Sequence, residues 1–163
     1  MIDKITSKHL ASQSSRASVA VLVDGQNVNV LKYNRDVLNF VANLGEPSLL
    51  WFFHHWSDVR PSKAKKVETD GWEIINVREK GKNALDYQAI KAFREHCEAS
   101  VMPDILVLIT CDKDFLPLVK DHLQAGREVF VIGRRNAISH RLLSWVGSNF
   151  YWVEELHLLH VFS

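Results

Sequence analysis

Five short apolar runs limit what this chain can fold into: VAVLV (19–23), LLWFFH (49–54), WEIINV (72–77), ILVLI (105–109) and EVFVI (128–132). Each is rich in β-branched or aromatic residues, is short for a helix, and ends in a polar or glycine-bearing turn. Each therefore reads as a strand. The segments between them carry the other period. Asn27 to Asn43 has Val30, Leu31, Val37, Leu38 and Val41 at helical spacing and stops at Gly45-Glu46-Pro47. Pro61 to Thr69 reads as a basic, exposed helix with proline in its first turn. Ala84 to Glu98 puts Leu85, Ala89, Phe93 and Cys97 on one face. Phe115 to Gln124 is a helix halted by Gly126, Ile138 to Val146 a last helix, and Phe150 to Val153 a further strand. Strict alternation of strand and helix predicts βαβ units, parallel strands and right-handed crossovers. Continuous apolar strands predict a sheet covered on both faces. The expected fold is α/β, with a central, mostly parallel sheet of five or six strands.

A chain of 163 residues suggests one domain. Residues 1–18 are polar and serine-rich and read as a flexible N-terminal segment, 19–156 as the folded domain, and 157–163 as a C-terminal tail. Formal net charge is +1, so a polyanion would have to be held by a local patch rather than by the whole surface. The two cysteines, Cys97 and Cys111, form no C-x-x-C pair or secreted disulfide pattern. The N-terminus lacks the apolar core of a signal peptide, and no apolar run is long enough to span a bilayer. The expectation is a cytoplasmic protein with no membrane contact. The glycines form neither G-x-G-x-x-G nor G-x-x-x-x-G-K, and there is no internal repeat.

Ligands of open parallel sheets bind beyond the carboxyl ends of the strands, and acids cluster at such ends here. Asp24 follows the first strand directly. Asp112 and Asp114 follow the fourth, in ILVLI-TCDKDF. Asp86 lies in the first turn of the helix after the third. If strands one, three and four converge, four carboxylates share a cleft. Two unit charges ~4 Å apart repel by about 4 kcal/mol at an effective dielectric near 20, so such a cluster keeps protons or takes cations. All-oxygen donors favour Mg²⁺ or Mn²⁺, which suits metal-assisted phosphodiester cleavage.

Simpler roles exist for each residue taken singly. Asp112 or Asp114 caps the helix near Phe115, Asn83 caps the Asp86 helix, and Asp24-Gly25 is a turn. Asn27 is an N-cap that could also orient a water or phosphate. The histidines are weak zinc candidates: His54 and His55 point to opposite faces of a strand, and His157 with His160 lack a third ligand. Charge runs are usually solvated faces, but Lys80 and Lys82 precede the Asp86 helix and Arg134 and Arg135 follow strand five. All four sit at the ligand edge, where they could grip substrate phosphates. Trp56, Tyr33 and Tyr87 are either core or base-stacking residues.

VAVLVDGQNV, KGKNALDYQAI and LVLITCDKDFLPLVKDHLQAGREVFVIG together resemble the NYN domain, a branch of the PIN-like nuclease superfamily. The resemblance runs from about Val19 to Leu156. It implies a Rossmann-like three-layer α/β sandwich and metal-dependent RNA cleavage. Asp24, Asp86, Asp112 and Asp114 would be the acids, with Asn27 beside them. There are departures. The family's S-G-D-x-D-F reads Thr110-Cys111-Asp112 here. Ala92 and Ser148-Asn149 stand where many members carry further acids. A second reading is thus a PIN-like module that binds RNA or a protein without cutting. In that case the apolar stretch from Leu156 to Phe162 offers a homodimer or partner surface. A phosphatase or receiver-like reading, with Asp24 as nucleophile, needs an acid where the chain has Gln26.

Overall fold

A computed structural model describes residues 16–26, 30–135 and 137–159. Six parallel strands form one sheet: β1 (Ser18–Asp24), β2 (Glu46–His54), β3 (Glu73–Asn76), β4 (Ile105–Ile109), β5 (Glu128–Gly133) and β6 (Phe150–Trp152). Their order is β3-β2-β1-β4-β5-β6. The helices are α1 (Val30–Leu44), α2 (Pro61–Thr69), α3 (Ala84–Ala99), α4 (Leu116–Gln124) and α5 (His140–Val146). The chain runs outward from β1 to β3, turns back to β4, and continues outward to β6.

Side-chain alternation sorts the core into two layers. Val19, Val21 and Val23 of β1 and Val107 and Ile109 of β4 pack with Val37 and Val41 of α1 and Val67 of α2. Ala20, Leu22, Leu106 and Leu108 point the other way, onto Leu85, Ala89 and Phe93 of α3, Leu118 of α4 and Leu142 of α5. Strands that step one way have their helices on one face, and strands that step back have theirs on the other. A single crossover hand requires this arrangement. All of Val19 to Val23 is buried, and each large aliphatic side chain there is worth roughly 1.5–3 kcal/mol against exposure.

The elements expected over Pro61–Thr69 and Ile105–Ile109 have those bounds. Others shift. Glu46 and Pro47, expected to end the first helix, open β2 instead. Pro47 pairs with Val19 where the register slips, as a residue without an N–H must. A 3₁₀ turn, Lys113–Phe115, precedes α4, and another, Val153–Leu158, follows β6 and buries Val153 and Leu156 in the α1-side core. Leu156 is therefore part of the domain's own core. Residues 160–163 of the expected tail lie outside the described residues, as does Asn27. Among the described residues no helix is long and apolar enough to cross a membrane.

Candidate metal centre

Strand order reverses direction between β1 and β4, and the crevice at such a switch point is where open sheets bind ligands. Asp24 ends β1, and Asp112 and Asp114 lie just past β4, so both reach this crevice. Asp86 arrives by another route than expected. β2 and β1 both lie between β3 and β4, so the end of β3 takes no part. Instead α3 packs back over β2 and β1 against α4 and the Lys113–Phe115 turn, carrying Asp86 on its first turn to the crevice.

Carboxylate oxygens of Asp86, Asp112 and Asp114 all lie within 4.8 Å of one another. Asp24 sits beside this group, close enough for its charge to act on Asp86. Local bonds hold Asp24 and Asp112. The Asp24 carboxylate accepts from the Gln26 N–H at 3.2 Å and from the Thr110 hydroxyl at 2.9 Å. The Thr110 hydroxyl in turn accepts from the Asp112 N–H at 3.1 Å, tying the ends of β1 and β4 together. Thr110 is 1 % exposed; in the sequence it is only a hydroxyl preceding the motif, and nothing there signals this tie. Asp112 accepts from the Asp114 N–H at 2.9 Å and so caps the 3₁₀ turn while its carboxylate faces the group. Its two expected roles, cap and cluster member, coexist. Asn83 does not cap α3 with its side chain: its backbone is left-handed, with φ of 68°, and its carbonyl accepts from the Tyr87 N–H.

Gly25 makes the turn after β1 possible. Its N–H donates to the Phe53 carbonyl at 2.9 Å, and a Cβ there would stand 2.7 Å from that oxygen and 2.9 Å from the Phe52 ring. Gly25→Ala is expected to push the turn off β2 at a cost of about 1–3 kcal/mol. Calorimetry should register a fall in Tm of roughly 3–10 °C; an unchanged Tm would mean that the backbone absorbs the methyl group.

Electrostatics make this group a poor home for negative charge alone. Burial, then a hydrogen bond shared with Asp112, then the charges of Asp112, Asp24 and Asp114 push the Asp86 carboxyl up to about 8. At neutral pH and without a cation, Asp86 keeps its proton and donates it to Asp112. Three hard oxygen donors that close, with one held protonated by burial and by its neighbours, fit a small divalent cation.

The expected phosphate grips separate. Arg134 lines a small cleft of about 290 Å³ with Asp112, Lys113 and Ser139, directly beside the acids. Arg135 instead pairs with Glu155 and lies over Trp152, 5.7 Å from its ring centroid. Lys80 pairs with Asp58 at 2.5 Å, and Lys82 is exposed on the loop before α3. Trp56 is core, its indole N–H donating to the Phe52 carbonyl, whereas Tyr87 is 64 % exposed one residue past Asp86. His55 contacts the Val77 carbonyl through Nδ1 at 2.7 Å, so the His54-His55 pair does not converge on one site.

A six-stranded parallel sheet with order 3-2-1-4-5-6 and acids at its switch point defines the class: a Rossmann-like sandwich of PIN-like type. The NYN domain family model matches residues 18–153, and the chain belongs to that family. Its fold is similar to the crystal structure of a protein of unknown function from Vibrio parahaemolyticus, with a TM-score of 0.67 and 20% identity. That likeness covers 86% of this chain and 95% of the other. No curated protein matches the chain.

Proposed function

We propose that this domain is a Mg²⁺- or Mn²⁺-dependent endoribonuclease acting on single-stranded RNA. The observation that carries the reading is the Asp86–Asp112–Asp114 group at the switch point of an NYN fold. Asp86, Asp112 and Asp114 would hold the ion, with Asp86 giving up its proton as the ion enters. A bound divalent ion supplies Lewis-acid stabilisation of phosphate charge and a more acidic water. Asp24, held by its two donors, accepts a hydrogen bond from the attacking water and fixes its direction. Asn27, three residues on in the sequence, is the polar residue that the family resemblance sets beside the acids, and it would help to orient the water or the scissile phosphate. Arg134 and Lys82 neutralise phosphates flanking the cut, with Lys80 and Arg135 available once released from Asp58 and Glu155.

Cleavage of a labelled single-stranded RNA by the purified chain tests the reading. Product should form with Mn²⁺ or Mg²⁺ and vanish when EDTA is added. Equal product in both samples would rule out metal dependence.

Two departures favour a second reading. Ala92 and the Ser148-Asn149-Phe150 stretch supply no carboxylate where the family resemblance leads one to expect an acid, which suits a module that binds RNA without cutting it. Persistent binding with saturating Mg²⁺ and no product over hours would select it.

A further inference from the structure

An open cleft of about 580 Å³ begins at Asp114 and runs between α3, α4 and α5. Its walls carry Lys113, Lys120, Arg141 and Arg94 against Asp114 and Asp121. Arg94 is already matched, its guanidinium holding Asp121 at 2.8 Å. Asp114 belongs to the metal centre. The cations left over are Lys113, Lys120 and Arg141. Lys113 also lines the Arg134 cleft on the other side of Asp112, so positive charge continues past the acids. On α5, Trp145 is one turn beyond Arg141 and therefore on the same face. Its indole is 44 % exposed, with the Lys120 ammonium 5.0 Å from the ring centroid. A chain of net charge +1 has gathered unmatched cations along one concave path that starts at its acids, with an exposed indole beside it under Lys120.

Taking the polymer from the reading above, we propose that a single strand of RNA lies along this cleft, its phosphates held by Lys113, Lys120 and Arg141 and one base stacked on Trp145. A cationic groove with an aromatic platform is how proteins hold single strands, whose bases are free to stack. A duplex keeps its bases inside and offers Trp145 nothing. Lys120, now over the indole, has a phosphate to move to when the base takes its place. The strand is thereby fixed on one side of the metal centre, and the scissile phosphate is the one brought over Asp112 and Asp114.

Fluorescence anisotropy with a labelled single-stranded oligoribonucleotide tests this in EDTA, where nothing is cut, and again with Mg²⁺ on the Asp112→Asn chain. Each phosphate contact adds about 0.7 to the slope of log affinity against log salt for a single strand. The K113Q/K120Q/R141Q variant should therefore have a slope lower by about 2. Trp145→Ala should weaken binding roughly tenfold at fixed salt while leaving the slope unchanged. Lys63→Gln with Lys65→Gln, on α2 across the sheet, removes two charges without touching the cleft and should leave both quantities as they were. A triple variant with the parent slope overturns the proposal, as does a parent chain that binds no RNA under either condition. An unchanged affinity for Trp145→Ala overturns the stacking step. Cutting that proceeds with the slope unaltered keeps the nuclease reading and removes this path. Binding along the path with no cutting under any metal does the reverse.

Discussion

Asp112→Asn is expected to lower RNA cleavage by about 10³-fold with the fold preserved. Asp112 is the hinge of the acidic group. Its backbone N–H reaches Thr110, its side chain caps the turn that carries Asp114, and its carboxylate neighbours both other acids. Asparagine keeps the Oδ1 that accepts from the Asp114 N–H, so the cap, worth ~1 kcal/mol, survives. What it loses is one unit of negative charge and one hard oxygen donor. Electrostatic stabilisation by a bound ion contributes several kcal/mol at the transition state, and about 4 kcal/mol corresponds to 10³-fold in rate. Asp112→Ala removes cap and ligand together, so the pair of variants separates folding from chemistry.

The same substitution has an equilibrium signature. An ion that binds only the folded chain at 100 times its Kd stabilises it by about 2.7 kcal/mol, or roughly 5–10 °C in Tm for a domain of this size. Mn²⁺ should raise the parent's Tm by that amount and the Asp112→Asn chain's by little. Full activity together with a full Mn²⁺ response in the variant would remove Asp112 from the site.

What could be read from the chain divides along the range of the forces involved. Strands such as Ile105–Ile109 and helices such as Pro61–Thr69 are legible because burial period and breaker residues are local signals. The acids at strand ends are legible for the same reason, since a strand's end marks the ligand edge of its sheet. Asp86 reaches the crevice through the path of α3 across the sheet, and only the strand order reveals that path. Ion pairs are less legible still. Lys80 and Arg135 look free in the sequence, yet Asp58 and Glu155, some twenty residues away, claim them. Lys120 and Arg141 look like ordinary solvated charges on separate helices, and only the packing of α4 on α5 puts them in one cleft with Asp114. Pro47 misleads because proline at a helix stop and proline at a strand's first, slipped pairing look alike in one dimension.

Asp86→Asn should stabilise the metal-free chain at alkaline pH, although it removes a metal ligand. The Asp86 carboxyl is pushed up to about 8, chiefly by burial and then by Asp112, against an unfolded value near ~3.9. Between those values the folded state holds a proton that the unfolded state has released. Stability contributed by that proton is complete below about pH 4, declines as pH rises, and is gone above about 8, with a slope near ~1.4 kcal/mol per pH unit in between. The buried His122 and the half-buried His54, whose pKa values burial lowers, bend the curve the other way below their unfolded value. They are common to parent and variant, so the difference between the two curves isolates Asp86. Asparagine is neutral at every pH and offers Asp112 an N–H in place of the acid's O–H. The two chains should therefore melt together at or below about pH 4 in EDTA, and the variant should melt progressively higher than the parent as pH rises to 8. Saturating Mn²⁺ should reverse the order at pH 8, because the ion needs the ionised carboxylate and displaces its proton. If the variant melts below the parent at pH 8 in EDTA, Asp86 carries no electrostatic burden for a cation to relieve, and the metal centre loses its physical basis.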